Sequence, residues 1–291
     1  MVLAGNSKQR AAGEIVPASC LLAPIFACNT RNNLGFKTFR CAVAKSPGYA
    51  MPKFNEVWKV PPHGSLRELD AGLFIVSAEI TMPLGSFPRR MTVVGLRGNR
   101  SAIWSAVPLR EPEMKKVEAL GEPSILIVPG VFHRLDIKPW KERYPKAKVL
   151  CAPGARQAVE EIVPVDGTTD ILDDPTVAFD AVPGASGKEA ALIIRRSGGT
   201  TLVLNDILAN IRRPHGAGAH IMARLFGFGV TRPMTPRVVR WKIVEDPRAL
   251  AGAFRRWAKE PDLKRIVVSH GDVIDTDPKA VLDRVVRDFA E

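Results

Sequence analysis

The chain has 291 residues, 46% of them apolar and 25% charged, with a formal net charge of +12. That length holds one large domain or two small ones with ample core, and the composition is ordinary for a soluble globular protein. No stretch approaches the ~18–20 apolar residues of a membrane span, so none is expected.

Charge and cysteine are unevenly placed. Residues 1–50 carry Lys8, Arg10, Arg31, Lys37, Arg40 and Lys45 against Glu14 alone, a net +5, together with Cys20, Cys28 and Cys41. The other 241 residues carry the remaining +7 and only Cys151. A lone cysteine argues against a disulfide framework and fits a reducing compartment, so a cytoplasmic location is expected. Cys151 ends the strand-like Ala147–Leu150 and reads as a small buried hydrophobe.

Residues 1–50 show neither a helical nor a strand period and are expected to form a flexible N-terminal extension. Their one apolar patch, Val16–Ala27, is broken by Pro17, Ser19, Cys20 and Pro24, which suits a secretory segment poorly. A lipoprotein-type cleavage before Cys28 can be drawn, but it lacks the usual leucine. Met51 is expected to open the domain, which runs over 51–291.

From there the texture changes. Leu73–Ile80, Thr92–Leu96 and Ala102–Val107 read as successive strands separated by Pro/Gly/Arg turns. Pro112–Leu120 reads as a helix with Met114, Val117 and Leu120 on one face and Gly121 as its stop. Strand Ser124–Val128, helix Pro139–Tyr144, strand Ala147–Leu150 and helix Gly154–Glu161 follow. Further strands are expected over Thr176–Val182, Ala190–Arg195 and Thr200–Leu204, then a less regular helical stretch over Gly218–Lys242. Asp246-Pro247 starts a helix presenting Leu250, Phe254 and Trp257, Arg265–Val268 is the last strand, and Asp277-Pro278 starts the last helix. This alternation predicts a layered α/β fold.

Three of the apolar strands end in polar residues. Ser124–Val128 runs into Pro129-Gly130, His133 and Asp136; Thr200–Leu204 into Asn205-Asp206; Arg265–Val268 into Ser269-His270-Gly271-Asp272. Polar side chains at the ends of adjacent buried strands are where layered α/β folds assemble their sites.

The order of these segments resembles the metallo-β-lactamase fold. Ile103-Trp104-Ser105-Ala106-Val107-Pro108-Leu109, then Val128-Pro129-Gly130-Val131-Phe132-His133-Arg134-Leu135, then Trp140-Lys141 and Tyr144-Pro145, resemble an uncharacterised branch of that superfamily. The resemblance covers Leu73–Asp288 and implies a single αββα sandwich. It also implies a ligand set: two metals held by His-x-His-x-Asp-His after the first of the three strands, a His in a Pro-Gly-His-Thr turn, a bridging Asp and a last His. Asp206 and His270 match the final two positions. The first loop here is Gly130-Val131-Phe132-His133-Arg134-Leu135-Asp136, with one histidine, and the turn is Pro183-Gly184-Ala185-Ser186, so four of the usual seven ligands are absent.

The expectation is therefore a degenerate site holding at most one divalent metal, zinc or iron, or none. His133, Asp206 and His270 are the candidate ligands, with Asp206 and His270 as the candidate catalytic pair and Glu189, Arg134 and Asp136 as accessories. Hydrolysis of an ester, thioester or phosphoester by a metal- or His-activated water is the first reading. The alternative is a non-catalytic binding or regulatory protein in which Arg134 fills the emptied pocket and pairs with Asp206. His133 could instead hydrogen-bond a loop carbonyl, and Asp136 could merely start the Pro139 helix. Ser269 reads as a sequence neighbour of His270 rather than a nucleophile. His63, His215 and His220 read as solvated. The arginines at 195–196, 212–213, 237, 240 and 255–256 admit an anion-binding groove, but without interleaved aromatics a solvated, ion-paired surface is expected over nucleic-acid binding. The expected partner is a small-molecule substrate or ligand.

Overall fold

Apolar runs without alternation need cover on both faces, and a double sheet flanked by helices supplies it. The computed structural model describes residues 54–289 apart from 83, 84, 213, 215 and 216; the expected N-terminal extension lies outside the described residues. Strands β1 (Arg67–Asp70), β2 (Leu73–Met82), β3 (Gly85–Leu96) and β4 (Arg100–Trp104) form an antiparallel meander. Strands β5 (Glu122–Val128) and β6 (Lys148–Cys151) then add in parallel, completing a six-stranded sheet in sequence order. Parallel pairing needs a crossover, and helices α1 (Glu111–Ala119) and α2 (Ile137–Arg143) provide the two.

After the short helix α3 (Arg156–Glu160), strands β7 (Val177–Ala181), β8 (Ala190–Arg196) and β9 (Gly199–Leu204) build an antiparallel second sheet. The chain leaves it through α4 (Ala217–Phe226), α5 (Arg237–Lys242) and α6 (Pro247–Ala258), returns as β10 (Leu263–Val268) parallel to β9, and closes with α7 (Pro278–Arg287). The four strands lie in the order β10-β9-β8-β7.

The two faces of this second sheet serve two cores. Along β8, Ala190, Leu192 and Ile194 join the core shared with the first sheet, while Ala191 and Ile193 join the core formed with α6 and α7. Val203 and Val267 point to the first core, Leu202, Leu204, Ile266 and Val268 to the second. Residues 190–194, 199–204 and 266–268 are buried whichever way they point, so these stretches of β8 to β10 read without a strand's polar alternation. Met114 and Val117 of α1 and Ile137 and Trp140 of α2 pack into the core of the first sheet. The architecture is an αββα sandwich.

Both Asp-Pro helix starts are capped as their sequence predicts. The Asp246 carboxylate accepts from the Arg248 and Ala249 amides, and Asp277 accepts from Ala280. Four expectations need correction. β1 was not anticipated. β3 begins at Gly85 rather than Thr92, β4 stops at Trp104 where Ser105 turns with φ 54°, and the 218–242 stretch is two helices broken after Phe226. Among the described residues no helix is long and apolar enough to cross a membrane.

Candidate metal centre

Strands β9 and β10 are parallel and in register, Leu204 opposite Val268. The residues that follow, Asp206 and His270, therefore emerge side by side. His270 Nε2 lies 3.2 Å from Asp206 Oδ1. The loop after β5 reaches the same point, because the Ala190 amide donates to the Pro129 carbonyl at 2.9 Å and Gly130 bridges to Glu189 at the start of β8. That loop brings His133 Nε2 to 3.3 Å from Asp206 Oδ1 and 3.3 Å from His270 Nε2. One donor atom from each of the three residues falls within 4.8 Å of the others. Gly130 makes this approach feasible, since a Cβ there would stand 2.4 Å from Glu189 Oε1.

Both imidazoles are held from behind. His133 Nδ1 is 2.7 Å from Ser105 Oγ, and His270 Nδ1 is 2.8 Å from the Pro88 carbonyl oxygen. A carbonyl only accepts, so His270 Nδ1 carries the hydrogen, and in the neutral ring Nε2 presents its lone pair to the cluster. The three side chains are 7%, 13% and 22% exposed for His133, Asp206 and His270.

Burial opposes charge throughout the cluster, and the partners decide the balance. Asp206 feels burial pushing its pKa up, but the two imidazoles outweigh it and hold the carboxyl well below the usual range. For His270 burial pushes down, and the Asp206 carboxylate with the Pro88 carbonyl leaves it above the ordinary histidine value. Glu189 is pushed well up by burial and by the neighbouring Asp206 charge. It sits beneath the cluster, wholly buried, with Oε2 accepting the Asp206 amide at 3.0 Å and Oε1 accepting Asn205 Nδ2 at 3.2 Å. Glu189 thereby fixes the backbone that carries Asp206.

Two expected accessories lie elsewhere. Arg134 does not meet Asp206: its guanidinium donates to the Ala158 carbonyl in α3 and faces Glu161. A helix C-terminal turn offers unpaired carbonyls, which attract a cation. Asp136 stands at the start of α2, but its buried carboxylate turns to Arg89 at 2.5 Å and to Asn55 Nδ2 at 2.6 Å rather than to the cluster. Ala185, in the turn where the resemblance implied a histidine, is 0% exposed and belongs to the core that includes Leu250 and Ala251. Ser269 is buried, and its hydroxyl has no hydrogen-bond partner among the described residues. Of the remaining histidines, His220 is exposed, His215 lies outside the described residues, and His63 is half-buried with Nε2 accepting the Arg110 amide at 3.1 Å.

Pro88, Arg89 and Arg90, inconspicuous in the sequence, clamp the site together. The Pro88 carbonyl holds His270, Arg89 holds Asp136, and Arg90 donates from Nη1 to the Val268 carbonyl at 2.8 Å. Burial lowers Arg90 to about 10. Ser105, behind His133, is the other residue the sequence did not disclose; its left-handed backbone is the unusual feature that marks it.

Two imidazole nitrogens and one carboxylate suit zinc or iron, and rings fixed at Nδ1 are the usual support of such ligands. Both oxygens of Glu189 are engaged, and among the described residues no further His, Cys, Asp or Glu joins the group. The donor set fits one ion and falls short for two.

No family model matches the sequence, and no curated protein does. Solved structures do. The DIM-1 metallo-β-lactamase aligns with a TM-score of 0.54 at 11% identity, over 79% of this chain and 99% of that one. TMB-1 aligns with a TM-score of 0.52 at 13% identity, over 80% of this chain and 100% of its own. The metallo-β-lactamase FIM-1 from Pseudomonas aeruginosa, in its mono-zinc form, aligns with a TM-score of 0.50 at 12% identity, over 82% and 98%. Likeness at this identity speaks to architecture, and the chain has the metallo-β-lactamase fold.

Proposed function

We propose that the chain is a hydrolase-like protein acting on an ester, thioester or phosphoester with at most one divalent ion, zinc or iron, held by His133, Asp206 and His270. The observation that carries this reading is the convergence of their three donor atoms within 4.8 Å, on rings already anchored at Nδ1. A bound ion would supply Lewis acidity toward the substrate oxygen. Ser105 and the Pro88 carbonyl keep the two rings aimed, and Glu189 holds the Asp206 backbone in place. In the ion-free chain His270 Nε2 takes up a proton and Asp206 stabilises the imidazolium, the arrangement of a general-base pair.

A second reading, a binding protein that keeps the fold without the chemistry, is supported by Ala185: a core residue stands where the family has a ligand. One experiment separates them. The full chain and Asp206→Ala are assayed on p-nitrophenyl acetate, an acyl thioester and bis(p-nitrophenyl) phosphate, with and without added zinc, manganese or iron(II). Turnover stimulated by one metal and lost in Asp206→Ala supports the hydrolase. No turnover with any ester under any metal leaves the binding protein.

A further inference from the structure

From Ile207 to Val244 the chain carries seven Lys/Arg and not one Asp or Glu. The +7 excess of residues 51–291 therefore resides wholly in this segment, and the rest of that region is balanced. The segment supplies α4 and α5, joined where Arg237 Nη1 donates to the Leu225 carbonyl at 3.1 Å. Four of the seven large apolar side chains exposed among the described residues lie on these two helices, a concentration rather than an even scatter. Ile221 and Leu225, four apart on one face of α4, are 61% and 59% exposed, and Phe226 is 39% exposed. Trp241, one turn after Arg237 on α5, is 82% exposed. Arg224, Arg240 and Lys242 are exposed on the same helices.

We infer that the α4–α5 surface docks on a membrane of anionic phospholipid. Aliphatic side chains that enter the acyl boundary, a tryptophan at headgroup depth and flanking cations that meet lipid phosphates are the attributes of an interfacial helix surface. A second copy of the chain does not fit, because the exposed Arg224, Arg237, Arg240 and Lys242 would face the same four cations. Single-stranded nucleic acid fits less well: only Phe226 and Trp241 offer a π face for a base, and Ile221 and Leu225 offer none. Docking leaves the protein on the surface. It also brings lipid near the metal centre, since the Asn210 amide, at the head of this segment, donates to the His270 carbonyl at 3.1 Å, and Phe228 packs on Phe87 at 5.9 Å.

The test uses the full chain with vesicles of phosphatidylcholine, alone or mixed with phosphatidylglycerol, read by co-sedimentation and tryptophan emission. Trp104, Trp140 and Trp257 are buried and Trp58 is half-buried, so Trp241 is the main reporter of a blue shift. The chain should pellet with the mixed vesicles only, release with salt, and shift its emission on binding. Arg224→Glu with Lys242→Glu should weaken binding at least about fivefold per cation lost. Leu225→Ser with Trp241→Ala should abolish the blue shift and most of the binding. All four positions are exposed, so circular dichroism and the unfolding temperature should stay unchanged. Failure to bind mixed vesicles would overturn the inference, as would binding that both double variants retain. A preference for single-stranded RNA, or self-association lost in these variants, would equally overturn it and assign the surface to another partner.

Discussion

The loop after β5 and the paired ends of β9 and β10 contribute to the same cluster on very different terms. Asp206 and His270 follow two parallel strands in register, so the sheet itself sets their spacing. His133 belongs to a turn closed by its own amide on the Gly130 carbonyl at 3.0 Å, and it is aimed by Ser105 from β4's end. Its loop neighbours go elsewhere: Phe132 is exposed, Arg134 turns to α3, and Asp136 turns to Arg89. The strand ends place their two side chains through backbone geometry. The loop places His133 through side-chain support, and that support is where the comparison can be tested.

The largest effect is expected at Asp136. Its carboxylate is fully buried against Arg89, and removing one member of a buried pair strands the other charge. Asp136→Ala should lower unfolding stability by about 3–5 kcal/mol in urea titration. A loss within a few tenths of a kcal/mol would mean the loop is not anchored there. Ser105→Ala is next. It should leave the unfolding midpoint nearly unchanged while weakening zinc binding about 10–100-fold by competition with a chelating dye, the usual cost of removing such a partner. Unchanged affinity would remove Ser105 from the account.

The strand-end pair makes a smaller, pH-dependent contribution. His270 is held above the ordinary value of 6.5, so its stabilisation of the ion-free protein is fully present below that pH and fades as pH rises through the folded value. In chelator, the stability gap between wild type and His270→Gln should shrink from below pH 6.5 to well above it. A gap that widened would reverse the assigned sign. Smallest of all is the proposed effect of residues 1–50, whose sequence has no core-forming period. A chain beginning at Met51 should unfold at the same temperature as the full chain, and a clear drop would show that the segment docks.

What could be read from the sequence follows the same division. Residues 200–204 and 265–268 were legible because both faces are buried and the runs end abruptly in polar residues. The Asp-Pro caps of α6 and α7 were legible because they are local chemistry. β1, Arg-Glu-Leu-Asp on an edge and half exposed, carries no apolar pattern to find. The first half of β3 reads as a turn because of Pro88 and two arginines, although those groups are bonded across the molecule to Val268, His270 and Asp136. Ser105 acts only through a partner remote in sequence, so no local pattern distinguishes it.

Metal stoichiometry tests the central claim most directly. The full chain, expressed with added zinc or iron and freed of loosely held ions by gel filtration, is measured by elemental analysis beside Asp206→Ala. Three convergent ligands predict at most one ion per chain in the wild type and none in the variant. Two firmly held ions, or one that survives Asp206→Ala, would contradict the account.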